Sequence, residues 1–273
     1  MKTTLLAIVI LGIGFLTSCK KHHDQQAPVI TFDTDALKFF DSSAITDTAQ
    51  MSAINSFVKQ LKDSSLWTKF VAIYPMVGGT ANSTKWNLKN PANTDAAYRL
   101  TFSGTPTFSG TGVLFTTISD FADTHVYDSI LTYNNNAISY FSTTENTIDG
   151  YDMGCADNLS PFNEFAIYQS NDANNWFGYY NFGRKPASTR GLFMFSSTTS
   201  DVKRYENGAM VIAKGSAPVN SFTAMPILIG NVSGSSAGGQ RECSLASIGL
   251  GLSDAEAQTF YNIVSKLEVR LSR

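Results

Sequence analysis

Val202-Lys203-Arg204-Tyr205-Glu206, then Asn207-Gly208, then Ala209-Met210-Val211-Ile212 is the stretch that decides the fold. Two short strand-like runs flank a two-residue Asn-Gly. Both central residues of a type I′ turn need positive φ, which Asn and Gly tolerate best, and the twist of that turn fits paired strands. The stretch therefore predicts an antiparallel hairpin with its tip at Asn207-Gly208.

Outward from the hairpin, the same kind of signal repeats. Phe70-Val71-Ala72-Ile73-Tyr74 is stopped by Pro75 and then Gly78-Gly79. Residues 98–102 alternate and end at Ser103-Gly104. Residues 137–141, 165–168, 176–182, 191–195, 226–229 and 244–248 are further runs. Many short strands with turn signals between them, and no alternating helices, predict an all-β sandwich or jelly roll. Composition agrees: 15% charged and 12% aromatic residues, with abundant Ser, Thr, Asn and Gly, suit an extracellular β domain. A formal net charge of −2 offers no electrostatic footprint for nucleic acid.

Two helices are expected outside the sandwich. Over residues 47–65, Asp47 is the cap with Gln50 as reciprocal partner, and Met51, Ile54, Phe57, Val58 and Leu61 form one apolar stripe. Over residues 253–271, Ser253 and Glu256 make a capping box. Phe260, Ile263, Val264, Leu267 and Leu271 give the stripe. Both stripes read as faces packed on the main domain.

Leu66-Trp67-Thr68-Lys69-Phe70-Val71-Ala72-Ile73-Tyr74-Pro75-Met76-Val77-Gly78-Gly79-Thr80-Ala81 resembles the opening of concanavalin A-like (laminin-G-like, jelly-roll) domains. Asn87-Leu88-Lys89-Asn90-Pro91, Arg99-Leu100-Thr101-Phe102 and Tyr205-Glu206-Asn207-Gly208 are similar to the same group. So are Ala246-Ser247-Ile248-Gly249, Leu252-Ser253-Asp254-Ala255-Glu256-Ala257 and Phe260-Tyr261. The resemblance spans roughly residues 50–273. It implies a sandwich of two curved antiparallel sheets, often used to bind carbohydrate, of the kind found in bacterial surface lipoproteins and phage-tail proteins. A fold by itself does not name a ligand.

The N-terminus reads as an address. Met1-Lys2 is a positive n-region, residues 5–16 are apolar, and Leu16-Thr17-Ser18-Cys19 is a lipobox followed by Lys20-Lys21. An apolar run of about a dozen residues is too short for a membrane span, which needs roughly 20. Cys19 is the lipidation site, and each buried CH₂ of an acyl chain contributes about 0.8 kcal/mol of anchoring. The organisation expected is a signal peptide (1–18), a lipidated disordered tether (19–28) and one sandwich domain (29–273). The location expected is the bacterial cell envelope, facing the periplasm or the surface. Lys20 stands where an acidic sorting signal would, which favours the outer membrane. Cys155 and Cys243 are then candidates for a disulfide worth about 4–5 kcal/mol in the chain-entropy model, the alternative being two separate buried thiols.

Catalytic signals are few. Glycosidases need two carboxylates roughly 5–10 Å apart, and no E-x-D-x-x-E strand is present among the six glutamates: Glu145, Glu164, Glu206, Glu242, Glu256 and Glu268. Glu145 with Asp149 is the nearest pair and reads as loop. Gly234-Ser235-Ser236-Ala237-Gly238 matches the G-x-S-x-G string, but no histidine follows His125 and no helix opens after it. His125, expected at a loop or strand end, cannot build a zinc site alone. Calcium is the metal such loops could serve, through Asp149, Asp152, Asp157 and Asn158 or through Asp172, Asn174 and Asn175, although neither cluster fits a twelve-residue calcium loop. For a sugar, the segment 171–181 supplies both amides and aromatic faces: Asp172, Asn174, Asn175, Trp176, Tyr179 and Tyr180 are the candidate ligand-binding residues. Trp67 and Trp86 read as structural. The expected function is a membrane-anchored, non-catalytic glycan binder. The alternatives are an adhesion module acting through protein contacts and a glycoside hydrolase with an atypical carboxylate pair.

Overall fold

The computed structural model describes residues 31–156, 164–169, 176–178, 180–181, 185–215, 224–233 and 237–273. The segments expected to be signal peptide and tether, Cys19 included, lie outside them, as do Asp157, Asn158, Asp172, Asn174, Asn175, Tyr179 and Gly234-Ser235-Ser236. Two helices come first, α1 (Thr34–Ser43) and α2 (Thr48–Asp63). Then come β1 (Phe70–Tyr74), the single turn α3 (Ala81–Thr84), β2 (Thr101–Ser103), β3 (Thr107–Phe108) and β4 (Val113–Leu114). Longer strands follow: β5 (Phe121–Tyr127), β6 (Asn136–Ser142), β7 (Gly150–Ala156) and β8 (Glu164–Gln169). The short β9 (Trp176–Gly178) and β10 (Tyr180–Asn181) precede β11 (Gly191–Ser197), β12 (Asp201–Glu206) and β13 (Ala209–Gly215). Last are β14 (Pro226–Ile229), β15 (Glu242–Gly249) and α4 (Asp254–Arg270).

Among the described residues these strands form two antiparallel sheets. Sheet A runs β13-β12-β11-β6-β15-β4-β3, and sheet B runs β10-β9-β8-β7-β14-β5-β2. β1 and β4 share one edge of β15 in tandem: β1 pairs with residues 246–249 and β4 with residues 242–243. The central strands β6, β14 and β15 pair with partners distant in sequence, as in a jelly roll, and the expected all-β sandwich of two antiparallel sheets with flanking helices is found.

The Asn207-Gly208 hairpin forms as its chemistry predicts. The two residues have φ of 50° and 79°, and β12 and β13 pair across them. Asn207 also accepts, through Oδ1, the Leu192 N–H at 2.9 Å, which ties the turn to β11. A Cβ on Gly208 would lie 2.7 Å from that of Tyr261 on α4, so the tip is packed as well as twisted.

Sheet A is buried on both faces along β1, β6, β11 and β15, while its edge strand β13 is largely exposed. Along β11, Phe193 and Phe195 point into the sandwich while Leu192 and Met194 point at the helices. The inter-sheet core includes Ile138, Tyr140, Phe165, Ile167 and Ile248, with the Phe165 and Phe195 rings edge-to-face at 5.4 Å. The second core gathers Phe39, Phe57, Leu61, Phe260, Val264 and Leu267 from α1, α2 and α4 against Phe70, Ile73 and Leu245 of the sheet.

Helix chemistry departs from expectation at two points. Asp47 caps α2 by accepting the Gln50 N–H at 2.8 Å, but the Gln50 side chain accepts from Gly78 N–H instead of returning to Asp47. The capping box at Ser253 and Glu256 is complete. α1 is an addition: Asp33 caps it, and Ala36, Phe39, Phe40 and Ser43 are its buried face. Tyr98, read as strand, instead has φ of 60° and ends a single 3₁₀ turn, so β2 starts only at Thr101.

The pairing of Cys155 with Cys243 is not made. Neither forms a disulfide; they lie on β7 and β15 respectively, packed as small apolar groups in the inter-sheet core. Cys155 donates to Asp128 Oδ2 at 3.7 Å. Burial pushes the Cys243 thiol well up, which keeps it protonated.

Gly208→Ala should lower the unfolding free energy by about 1–2 kcal/mol, the cost of left-handed backbone for a residue with a Cβ. The urea midpoint reads this directly, and an unchanged midpoint would contradict the turn assignment.

Candidate functional site

Sheet A carries the helices on its outer face, and the outer face of sheet B carries a cleft. β5 alternates cleanly: Ala122, Thr124 and Val126 are buried, while Phe121, Asp123 and His125 are partly exposed. On β14, Ile227 and Ile229 enter the core and Pro226 and Leu228 turn outward. With Ser103 from β2, the outward residues floor a cleft of about 630 Å³. Gly104, Ile118 and Ser119 wall one side, and Asn231, Val232 and Ser233 the other.

The walls are held by satisfied polar groups. Asp120 accepts from Thr105 N–H at 2.7 Å and from the Thr116 and Thr117 N–H groups at 2.9 Å. Burial alone would raise its pKa, but these hydrogen bonds outweigh burial and hold the carboxyl below its ordinary value. Gly104 has φ of 75°, and a Cβ there would meet Asp120 Oδ1 at 2.2 Å. Buried Asn231 donates to Ile118 O at 2.7 Å and accepts from Val232 N–H at 2.9 Å, so one amide joins both walls.

The floor presents one carboxylate. Asp123 Oδ1 accepts the His125 N–H at 2.7 Å, and the side chain is 28% exposed. His125 is not at a strand end as expected. It sits inside β5 with φ of 55°, opposite an irregular step in the β14 pairing, and its Nε2 lies 2.8 Å from Thr101 Oγ1. Hydroxyls of Ser103, Ser119 and Ser233 and the carboxylate thus surround apolar surface from Phe121, Leu228 and Val232. Such a mixture fits a polyhydroxylated ligand with an apolar face.

The candidate ligand-binding residues read from the sequence are not among those that line this cleft in the described part of the chain. Asp172, Asn174, Asn175 and Tyr179 are outside the described residues, and Trp176 and Tyr180 lie on β9 and β10 at the opposite end of sheet B. Trp86 is buried, and Trp67 lies under the Lys89 ammonium at 3.7 Å, both structural. Asp152, one of the residues weighed for calcium, is engaged by side chains of the protein. It is fully buried, with Arg241 Nη1 donating at 2.9 Å and Gln169 Nε2 at 2.5 Å. Among the described residues no group of three or more His, Cys, Asp or Glu is placed to hold a metal ion.

Most glutamates have structural partners. Glu145 is loop, as expected, and accepts from Ser188 and Thr189, which lowers its pKa. Glu242 accepts from Ser109, Thr111 and Thr143, Glu206 pairs with Arg204, Glu256 closes the α4 capping box, and Glu268 pairs with Arg273. Glu164 differs. It is buried on the outer side of β8, with the Tyr151 hydroxyl as hydrogen-bond partner, and burial lifts its pKa from 4.5 to about 7.

No protein-family model matches the chain, and no curated protein matches it. Solved structures do. Trypanosoma rangeli sialidase in complex with 2,3-difluoro-KDN aligns at a TM-score of 0.51 and 9% identity, over 77% of this chain and 39% of the sialidase. Domain 4 of an extracellular arabinanase from Geobacillus stearothermophilus, in complex with arabinotriose, aligns at 0.45 and 14% identity, over 70% of this chain and 98% of that domain. The botulinum neurotoxin serotype D binding domain aligns at 0.42 and 11% identity, over 72% and 52%. The chain therefore spans well under half of the sialidase, and the likeness is one of fold.

Glu164 also yields a pH signature. Its folded-state pKa lies above the unfolded value, so its protonation stabilises the fold fully below about pH 4.5, and that contribution fades as pH rises through about 7. Glu164→Gln, always neutral, should match the parent near pH 4 and exceed it in stability at pH 8 by a few kcal/mol. Denaturation midpoints across pH 4–8 check this, and a difference that does not vary with pH would contradict it.

Proposed function

We propose that the chain is a non-catalytic, carbohydrate-binding lipoprotein of the bacterial cell envelope, anchored through Cys19, with its ligand held in the cleft over β2, β5 and β14. The cleft's lining carries this reading: one partly exposed carboxylate and three serine hydroxyls around Phe121, Leu228 and Val232. Sugar rings offer hydroxyls at their rim and C–H groups on their face, and binding sites of this size combine a mostly apolar lining with a few placed polar groups. The lipobox supports the location. The non-catalytic part rests on the partners that occupy the glutamates other than Glu164.

Full-length protein in detergent, applied to a broad glycan array with and without calcium, should bind a defined set of glycans. Phe121→Ala and Asp123→Ala should each weaken that binding by at least tenfold, about 1.4 kcal/mol, with an unchanged melting temperature. A blank array would overturn the reading, and protein partners recovered alongside it would favour the adhesion module. Reducing-sugar release from a polysaccharide panel should be absent.

Cell fractionation tests the anchor. The parent protein should sediment with membranes, and Cys19→Ser should move it to the soluble extracytoplasmic fraction. Membrane retention of that variant would rule out anchoring by lipid on Cys19.

A further inference from the structure

The charge inventory of the cleft narrows its ligand, on the reading that the cleft binds glycan. Among the described residues, Asp123 is the ionisable side chain in the lining, and no Lys, Arg or His contributes to it. The nearby guanidinium of Arg99 is committed to Asp95 at 2.8 Å and Asn93 at 3.0 Å. His125 follows Asp123 on β5, but its Nε2 lies on Thr101 at 2.8 Å and 3.5 Å from Asp95.

Asp123 is itself positioned for hydroxyl donors. Its Oδ1 is taken by the His125 N–H, while Oδ2 accepts from no described residue. A carboxylate accepts hydrogen bonds only, and its charge makes each of them stronger than a neutral pair. Adjacent sugar hydroxyls supply such donors. A ligand carboxylate or sulfate placed there would meet like charge beside a low-dielectric floor, while the His125 imidazole, its Nδ1 3.8 Å from Asp123 Oδ1, stays outside the lining.

We infer that the cleft takes an uncharged pentose or hexose unit, its adjacent hydroxyls donating to Asp123 and its C–H face against Phe121 and Leu228, and that it discriminates against uronic, sialic and sulfated sugars. Asp123 is the residue that sets this selectivity.

The test titrates the full-length protein in detergent with a neutral oligosaccharide bound on the array and with its uronic-acid counterpart of the same linkage. The parent protein should favour the neutral form by at least tenfold, about 1.4 kcal/mol in binding free energy. Asp123→Asn keeps the side-chain shape and removes the charge. It should bind the neutral form more weakly and close the neutral-to-anionic ratio to within about threefold. Equal or tighter binding of the uronate by the parent protein overturns the inference while leaving the glycan reading intact. A ratio unchanged in Asp123→Asn overturns the assignment of selectivity to that residue. Binding of neither sugar, with the array blank, overturns both.

Discussion

Along β1, β6, β11 and β15, sheet A is an apolar layer packed on both sides, and the rest of the molecule follows from that. β1 sends Phe70 and Ile73 toward the helices and Ala72 and Tyr74 toward sheet B, and β11 divides its residues the same way. Fully burying a Leu, Ile or Phe side chain contributes about 1.5–3 kcal/mol. The two-sided pattern is thus the main source of stability and also the reason the helices cannot leave. Polar residues that fall on the helix-facing side are matched: Ser139 and Ser247 hydroxyls lie 2.6 Å apart, and Ser196 Oγ donates to Leu252 O at 3.0 Å while accepting the Leu252 N–H. With sheet A covered, the outer face of sheet B is where a ligand can approach, and the cleft lies there.

Buried charge closes the sandwich around that arrangement. Arg241 bridges Asp152 and the Ile148 carbonyl, while Tyr140 donates to the Arg241 carbonyl at 2.9 Å, which joins β7 to the segment entering β15. Arg273 pairs with Glu268 and donates to the carbonyls of Pro75, Met76 and Thr111, which holds the end of α4 against the loops around β1 and β4. Such pairs add little net stability, because desolvation offsets the attraction, yet removing one partner strands a buried charge at about 3–5 kcal/mol. They act as registration pins between layers that apolar contact alone would leave free to slide.

The parts of the fold legible in the sequence are those written in local chemistry. Asn207-Gly208 specifies its turn through positive φ, and Ser253 with Glu256 specifies a helix start through two reciprocal hydrogen bonds. α1 carried the same kind of signal, Asp33 followed by Ala36, Phe39, Phe40 and Ser43, in a stretch too short to stand out. β7 was hidden for another reason: Gly150, Asp152 and Gly154 are poor strand formers, admitted because Arg241 neutralises Asp152 and Gly154 lies against the Phe165 carbonyl, where a Cβ would come within 2.3 Å. The cleft was not legible at all. Its residues span 103–123 and 226–233, ordinary polar and apolar types that become a site only when β14 pairs with β5. The aromatic-amide run at 171–181 stands out in the sequence because it is contiguous, whereas the cleft is assembled across strands.

On the proposed reading, a cleft with one carboxylate and a few hydroxyls implies modest affinity for one sugar unit. Each hydrogen bond to a sugar replaces one to water, so the net contribution is only about 0.5–1.5 kcal/mol. Anchoring through Cys19, as proposed, changes what modest affinity can achieve. Copies confined to a membrane plane and a polymer that repeats the same neutral unit make each later contact intramolecular, and linked weak contacts raise avidity by about 10²–10⁴ without any new interaction. On that proposed reading, surface density would supply the binding strength and Asp123 the choice of sugar.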